Sequence, residues 1–298
     1  MEDKIFQKNV LLKNYTTYKI GGPAKYFLIV KTKEDLIKAT ELAKELKLPI
    51  FILGGGSNVL VSDKGFNGLV IKIANSKIDF LGRNSVYVEA GVSSAKLVKF
   101  TTDNSLSGIE WFAGIPGTVG GAIYGNAQAF GVKMSDSVEI VEVLDFKTLK
   151  IIKLSNKQCK FSLKNSVFKK NKNLIIISAV LKLKKTKKED IREKVKEHIS
   201  YRKKGHPIKF PSAGSVFVNP EIKAKNKIKA VHAASLIESC GLKGKKIGNA
   251  QISLQHANFI VNLGGAKAKD ILALIKLAKQ KVKKTFNINL EQEIIWKS

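Results

Sequence analysis

Three consecutive glycines, Gly54-Gly55-Gly56, follow directly on the apolar run Ile50 to Leu53, and this pairing narrows the possible folds more than any other feature of the chain. A short apolar run bounded by turn residues reads as a buried strand. Three glycines behind it cost backbone entropy that an ordinary surface turn does not require. In such a loop, backbone N–H groups can converge on an anion. Ser57 and Asn58 add side-chain donors before the apolar pattern resumes at Val59. Upstream, Thr32-Lys33-Glu34-Asp35 has the form of a capping box, and Leu36, Ile37, Ala39, Leu42, Ala43 and Leu46 recur at helical spacing until Pro49. The spacing therefore predicts helix, strand and phosphate-cradling loop in that order.

A second cluster, Gly114-Ile115-Pro116-Gly117-Thr118-Val119-Gly120-Gly121-Ala122, sets its glycines among apolar residues, so backbone there must approach something closely. Neither cluster is the G-x-G-x-x-G fingerprint, and no G-x-x-x-x-G-K-[ST] occurs, which takes away the sequence support for a Rossmann or P-loop fold. Between the clusters, Val86, Val88 and Ala90 alternate as a half-buried strand, and Ser93 or Ser94 can cap a helix carrying Leu97, Val98 and Phe100. Ile140 to Leu144, Ile151 to Leu154 and Leu174 to Leu183 read as strands. A charged helix is expected over Lys184 to Lys204, broken by His206-Pro207 and Pro211 and serving as a hinge. Beyond it we expect a strand at Ser215 to Val218, a helix at Ala230 to Cys240, a strand at Asn258 to Val261, a helix at Ala268 to Lys284 and a closing strand over Ile288 to Trp296.

At 298 residues, two domains are the natural expectation. The formal charge of +29 suggests nucleic acid at first sight, yet arginine occurs only at Arg83, Arg192 and Arg202, and base readout leans on arginine's planar fork. The lysines run along the whole chain with plentiful Ile and Asn, which reads as compositional bias, so neither nucleic acid nor membrane is expected as a partner. The field would still draw in dinucleotides and nucleotide sugars. Met1 to Val10 has no hydrophobic block long enough for a signal peptide, and a cytoplasmic location is expected. Cys159 and Cys240 lack metal-ligand spacing, so no metal site is expected, and both read as buried thiols.

Taken alone, the residues describe a two-domain α+β protein holding a phosphate-bearing cofactor at two glycine-rich loops. The order of motifs says more. Asn14 to Ala24 (NYTTYKIGGPA), GGGSNVL at Gly54 to Leu60, GIEWFAGIPGTVGGAIYGNA at Gly108 to Ala127, PSAGSVFVNP at Pro211 to Pro220, LIESCGLKGKKIGNAQIS at Leu236 to Ser253, HANFIVN at His256 to Asn262 and LEQEI at Leu290 to Ile294 together resemble the UDP-N-acetylenolpyruvoylglucosamine reductase family, in order and over essentially the whole chain.

The resemblance implies an FAD-binding domain of the vanillyl-alcohol-oxidase (PCMH) type over residues 1–190, in two lobes of about 1–75 and 76–190. A smaller α+β substrate-binding domain would follow over 200–298, its last strand returning toward the flavin. The short connection to Pro211 looks like the compact type, without an added substrate-clamping insertion. By the same resemblance, Gly54, Gly55, Gly56, Ser57, Asn58 and Val59, with Gly114, Ile115, Pro116, Gly117, Thr118, Gly120 and Gly121, would hold FAD. NADPH would be the co-substrate and a UDP-sugar enolpyruvate the acceptor, with the chain acting as a monomer. Ser215 matches the family's proton donor and Glu293 its catalytic carboxylate; Asn219 and His256 fall where the family contacts substrate. Departures from the pattern are Leu163-Lys164-Asn165-Ser166 in place of Tyr-Arg-Asp-Ser, Val218 in place of a lysine, and Gln128 within an Asn-Ala-Gly-Ala run. Lys164 would then stand where an arginine stabilises developing enolate charge, keeping the charge and losing the bidentate fork. A related flavin oxidase is the alternative within enzymes, but it would often tether its flavin through His or Cys, and none lies near Gly54 to Asn58. A flavin-binding relic and a basic nucleic-acid-binding protein are the remaining alternatives.

Overall fold

The structure, a computed structural model, describes the backbone of residues 5–224 and 227–298, and the side chains of these outside 222–230. Residues 1–4, part of the segment read above as lacking a signal peptide, lie outside the described residues, as does part of the stretch just before the expected Ala230 helix. The chain forms two compact units that interleave in sequence where contiguous segments were expected. Unit 1 comprises Met1–Lys8, Tyr26–Gly55 and Gly68–Arg202; unit 2 comprises Asn9–Lys25, Gly56–Asn67 and Lys203–Ser298.

Within unit 1 the expected helix runs over Lys33–Glu45, opened by a capping box in which Thr32 accepts the Asp35 N–H while Asp35 accepts the Thr32 N–H. Leu36, Ala39, Thr40 and Ala43 are its buried stripe. The strand Ile50–Leu53 forms as expected and pairs in parallel with Phe66–Ile73, Leu53 standing opposite Lys72. These two belong to a four-stranded sheet ordered Gln7–Leu11, Pro23–Val30, Phe66–Ile73, Ile50–Leu53. A second sheet is antiparallel throughout, in the order Lys150–Ser155, Val138–Asp145, Leu174–Lys182, Ser85–Glu89, Ile78–Gly82. Helix Ser94–Asp103 is capped by Ser93, whose Oγ accepts the Lys96 N–H at 3.2 Å. Its Leu97 is fully buried, which stabilises the fold by about 2 kcal/mol. The charged helix begins later than expected, over Lys188–Gly205, because Lys184–Lys185 pairs as a short strand with Leu106–Ser107.

Unit 2 packs around helix Ala268–Phe286, whose Ile271, Leu274, Ile275, Ala278 and Val282 lie in one core with Val216, Phe217, Ile237, Ile260 and Leu290. Its first turn is reached by Asp63, which accepts the Ala268 N–H at 2.8 Å and the Lys269 N–H at 3.3 Å. Four expectations need correction. The strand at Ser215–Val218 does not form; Gly214 has φ +75° and Phe217 makes a single antiparallel bridge to Gln292. The helix expected from Ala230 runs over Ala233–Ser239, because Glu221–Ala224 and Lys227–Ala230 pair as a hairpin immediately before it. The strand expected from Asn258 is Ile260–Asn262, since Asn258 is bonded to Val216 and Phe217 instead. The closing strand is only Ile295–Lys297, parallel to Val59–Val61. Cys159 is buried as expected; Cys240, near the end of a short helix, is only half-buried.

No helix among the described residues is long and apolar enough to cross a membrane. No group of three or more His, Cys, Asp and Glu among them could hold a metal ion.

Candidate cofactor and active site

The two glycine loops meet backbone to backbone inside unit 1. A Cβ placed on Gly55 would lie 2.6 Å from the Gly117 Cα, and one on Gly54 would lie 2.7 Å from Thr118 Oγ1. These distances are shorter than any side chain tolerates, so the glycines are required by the approach of one loop to the other. The Lys72 ammonium, carried on the strand paired with Ile50–Leu53, donates to the Gly54 carbonyl; its burial pulls its pKa below the ordinary lysine value. Gly56 turns with φ +65° and its carbonyl accepts the Thr17 N–H at 3.0 Å. Among the described residues the N–H groups of Gly55, Gly56 and Ser57 make no hydrogen bond. Three successive donors without a protein acceptor suit an anion such as a pyrophosphate.

Ordering of the second loop comes from its neighbours. The Val119 N–H donates to the Val92 carbonyl at 2.9 Å and the Gly120 N–H to the Ala90 carbonyl at 2.8 Å, while the Ser94 N–H donates to the Gly117 carbonyl at 3.2 Å. Ser94 Oγ donates to the Ile115 carbonyl as well. Gly120 is obligatory here, since a Cβ would fall 2.8 Å from that of Ala90. Thr118 caps the short helix Val119–Tyr124, and Gly114, Pro116 and Gly121 remain exposed. The loop is therefore a braced ledge with an open outer face.

Lys164 lies in unit 1 at a tight turn. Ser162 and Asn165 exchange both backbone hydrogen bonds, at 3.1 and 3.2 Å, and Lys164 takes φ +51°, an uncommon conformation for a lysine. This turn is tied to the end of the helix that follows the second loop: Asn126 Nδ2 donates to the Ser162 carbonyl at 2.9 Å, and Ser166 Oγ donates to the Tyr124 carbonyl at 2.7 Å. The Lys164 carbonyl accepts the Lys169 ammonium at 2.8 Å. Lys164 and the second glycine loop are thus parts of one hydrogen-bonded assembly.

Ser215, Asn219, His256 and Glu293 all lie in unit 2. Glu293 donates its N–H to the Val216 carbonyl at 2.8 Å, and Val218 donates to the Glu291 carbonyl at 2.9 Å, so Ser215 and Glu293 stand one step apart on two paired segments. Asn58 joins them: its Nδ2 donates to the Glu293 carbonyl at 3.4 Å and its carbonyl accepts the Ile295 N–H at 2.9 Å. Val59 is the buried first residue of the strand that pairs with Ile295–Lys297. Asn258 fixes the Ser215 segment from the other side, accepting the Phe217 N–H at Oδ1 (3.0 Å) and donating Nδ2 to the Phe217 carbonyl (2.8 Å). Asn219 is occupied with the next helix, its Oδ1 accepting the Ala233 N–H at 3.0 Å. His256 is half-buried against the rings of His206 and Phe259, and its Nδ1 accepts the Asn258 N–H at 3.3 Å. Burial holds its pKa below the ordinary histidine value. Two charged residues at the loops, Lys72 and Arg202, were not singled out from the sequence. The only signal for Arg202 was the rarity of arginine in so lysine-rich a chain.

Residues 206–296 match the family described as UDP-N-acetylenolpyruvoylglucosamine reductase, C-terminal domain, and residues 24–155 match an FAD binding domain. UDP-N-acetylenolpyruvoylglucosamine reductase of Clostridium novyi is 37% identical over 99% of this chain and 92% of that protein. Its counterpart from Caldicellulosiruptor saccharolyticus is 41% identical over 97% of this chain and 91% of that protein. The crystal structure of UDP-N-acetylenolpyruvylglucosamine reductase (MurB) from Thermus caldophilus superposes with a TM-score of 0.82 at 37% identity, covering 99% of this chain and all of that one. Near-complete coverage of both partners at this identity leaves one conclusion: the chain belongs to the UDP-N-acetylenolpyruvoylglucosamine reductase family.

Proposed function

We propose that this protein is an FAD-dependent reductase that uses NADPH to reduce the enolpyruvyl group of UDP-N-acetylglucosamine enolpyruvate to UDP-N-acetylmuramate, in peptidoglycan precursor synthesis. The observation that carries the reading is the contact between the two glycine loops in unit 1, in a chain of this family, with the Gly55 N–H and the next two N–H groups along the chain, those of Gly56 and Ser57, unspent. The loops fit a dinucleotide cofactor: the first offers a run of backbone donors to a pyrophosphate, and the second presents an open, braced ledge. FAD, when bound, supplies hydride chemistry, taking hydride from NADPH and passing it to the methylene carbon of the acceptor.

The chain's own groups then handle charge and proton. As hydride arrives, negative charge builds on the neighbouring carbon and its carboxylate, and a fixed cation is the ordinary way to stabilise it. Lys164 is our candidate, held on its turn by the Asn126 and Ser166 hydrogen bonds. Its single ammonium supplies the charge without arginine's two parallel hydrogen bonds. Ser215 Oγ is the candidate general acid that returns a proton to that carbon, and Glu293, one step away across the Val216 pairing, is the candidate carboxylate supporting it. Asn219 and His256 are assigned to substrate contact; Asn219 Oδ1 accepts the Ala233 N–H, and its Nδ2 lies 3.5 Å from His232 Nδ1, a contact that substrate would have to share or replace. A consumer of NADPH and a nucleotide sugar belongs in the cytoplasm, and we take the chain to act there as a monomer.

Anaerobic stopped-flow spectroscopy tests the proposal. FAD-loaded protein is reduced with NADPH and mixed with UDP-N-acetylglucosamine enolpyruvate while the flavin band is followed. Rapid reoxidation by that substrate is the expected result. A flavin that NADPH reduces and the substrate leaves reduced would refute the reductase, and a chain that takes up no FAD would refute the cofactor assignment as well.

A further inference from the structure

Arg202 lies in the last turn of the long charged helix and is only 8% exposed. Its Nε donates to the Ala113 carbonyl at 2.9 Å and its Nη2 to the Trp111 carbonyl at 3.0 Å. Those carbonyls belong to the last residues before the second glycine loop. The side-chain stem touches the loop itself: a Cβ on Gly114, which turns with φ +73°, would lie 3.0 Å from Arg202 Cδ. The guanidinium carbon sits 5.1 Å from the centre of the Phe130 ring, and that ring is stacked on His198 with centroids 4.0 Å apart.

Among the described residues no carboxylate pairs with Arg202. Burying a guanidinium against neutral carbonyls carries a desolvation cost that a simple core position would avoid with an apolar side chain. What arginine supplies here is geometry: a planar fork reaching two carbonyls two residues apart, which lysine, with one point of donation, cannot reproduce. Because the bonded carbonyls lead straight into Gly114, the fork sets the direction in which the loop leaves its preceding turn.

We propose that Arg202 is a positioning residue for the cofactor, setting the course of Ala113 and Gly114 and through them the ledge Gly114–Gly121; this inference rests on the FAD assignment made above. It predicts an effect on cofactor affinity separable from any effect on folding. FAD is titrated onto apo-protein, following flavin fluorescence and the visible band, for wild type, Arg202→Met, Arg202→Lys and Ile191→Ala. Ile191 is a fully buried residue of the same helix, and its truncation supplies a loss of stability away from the loop. Arg202→Met should weaken FAD binding about 30-fold and shift the bound-flavin band toward that of free FAD, and Arg202→Lys, keeping charge and one bond, about 5-fold. Ile191→Ala should lower the unfolding midpoint and leave the FAD Kd within about twofold of wild type. Wild-type binding with an unchanged Arg202→Met, or an Ile191→Ala loss as large as that of Arg202→Met, overturns this inference alone. Should Arg202→Met fail to fold, an Arg202→Lys Kd equal to wild type overturns it equally. A wild type that binds no FAD overturns the cofactor assignment and this inference with it.

Discussion

Gly55→Ala isolates the contact on which the proposed cofactor site depends. Gly55 does not occupy the left-handed region, so alanine brings no backbone strain, and the whole effect is steric. The new Cβ would stand 2.6 Å from the Gly117 Cα and 3.0 Å from its carbonyl carbon. Ordinary carbon–carbon contact lies near ~3.5–4.0 Å, so the two loops must part by roughly 1 Å. Neither can yield by a side-chain rotation, because backbone meets backbone, and the second loop is braced by the Val92, Ala90 and Ser94 hydrogen bonds. Overpacking of this kind costs about 1–3 kcal/mol. If the displacement falls on the geometry that FAD requires, that cost translates into binding weaker by about 5- to 150-fold. Isothermal titration of FAD onto apo-protein measures it, with Gly82→Ala as the comparison: Gly82 has φ +82° and nothing within 4 Å of its missing Cβ, so alanine there strains the backbone without touching the loops. Gly82→Ala should lower stability and leave FAD affinity alone. A Gly55→Ala protein that binds FAD as tightly as wild type would refute the reasoning.

Lys164→Ala should lower kcat/KM about 100- to 1,000-fold, as the loss of a fixed stabilising charge commonly does, whereas Lys164→Arg should equal or exceed wild type; steady-state kinetics with unchanged turnover in Lys164→Ala would remove it from the mechanism. The depressed pKa of His256 gives a pH dependence of defined sign: between the folded value and ~6.5 the unfolded chain binds the extra proton, so this residue makes stability fall as pH drops below about 6.5. Urea midpoints at pH 8 and pH 5.5 should diverge more in wild type than in His256→Gln, and equal divergence would contradict the assignment. Burial pushes the Cys159 thiol up to about 11, so at pH 8 a thiol reagent should modify Cys240 and leave Cys159 intact until the chain unfolds; equal rates at the two cysteines would show otherwise.

Much of unit 1 was legible because its signals are local. The capping box at Thr32, the helical stripe from Leu36 to Ala43 and the apolar run before Gly54 each depend on neighbours within a few residues, and all three form where expected. The ordered motifs carried the family and the fold class without any coordinates. The segment around Ser215 was misjudged for the opposite reason. It is rich in strand-forming residues, yet its hydrogen bonds go to the Asn258 side chain and to a one-residue bridge, partners that no periodicity within the segment encodes.

The sequence by itself determined which loops lack Cβ atoms, where the capped helices at Thr32 and Ser93 start, and which residue types stand at the positions proposed for chemistry. Only the tertiary structure decided that Gly55 meets Gly117, that Asn58 bonds Glu293 across 235 positions, and that Arg202 holds the carbonyls of Trp111 and Ala113. It also decided that Asn9–Lys25 and Gly56–Asn67 belong with the carboxy-terminal unit. The physical reason is common to all four: each is fixed by sterics or hydrogen bonds between residues far apart in the chain, and local propensity is silent about which distant groups will satisfy one another.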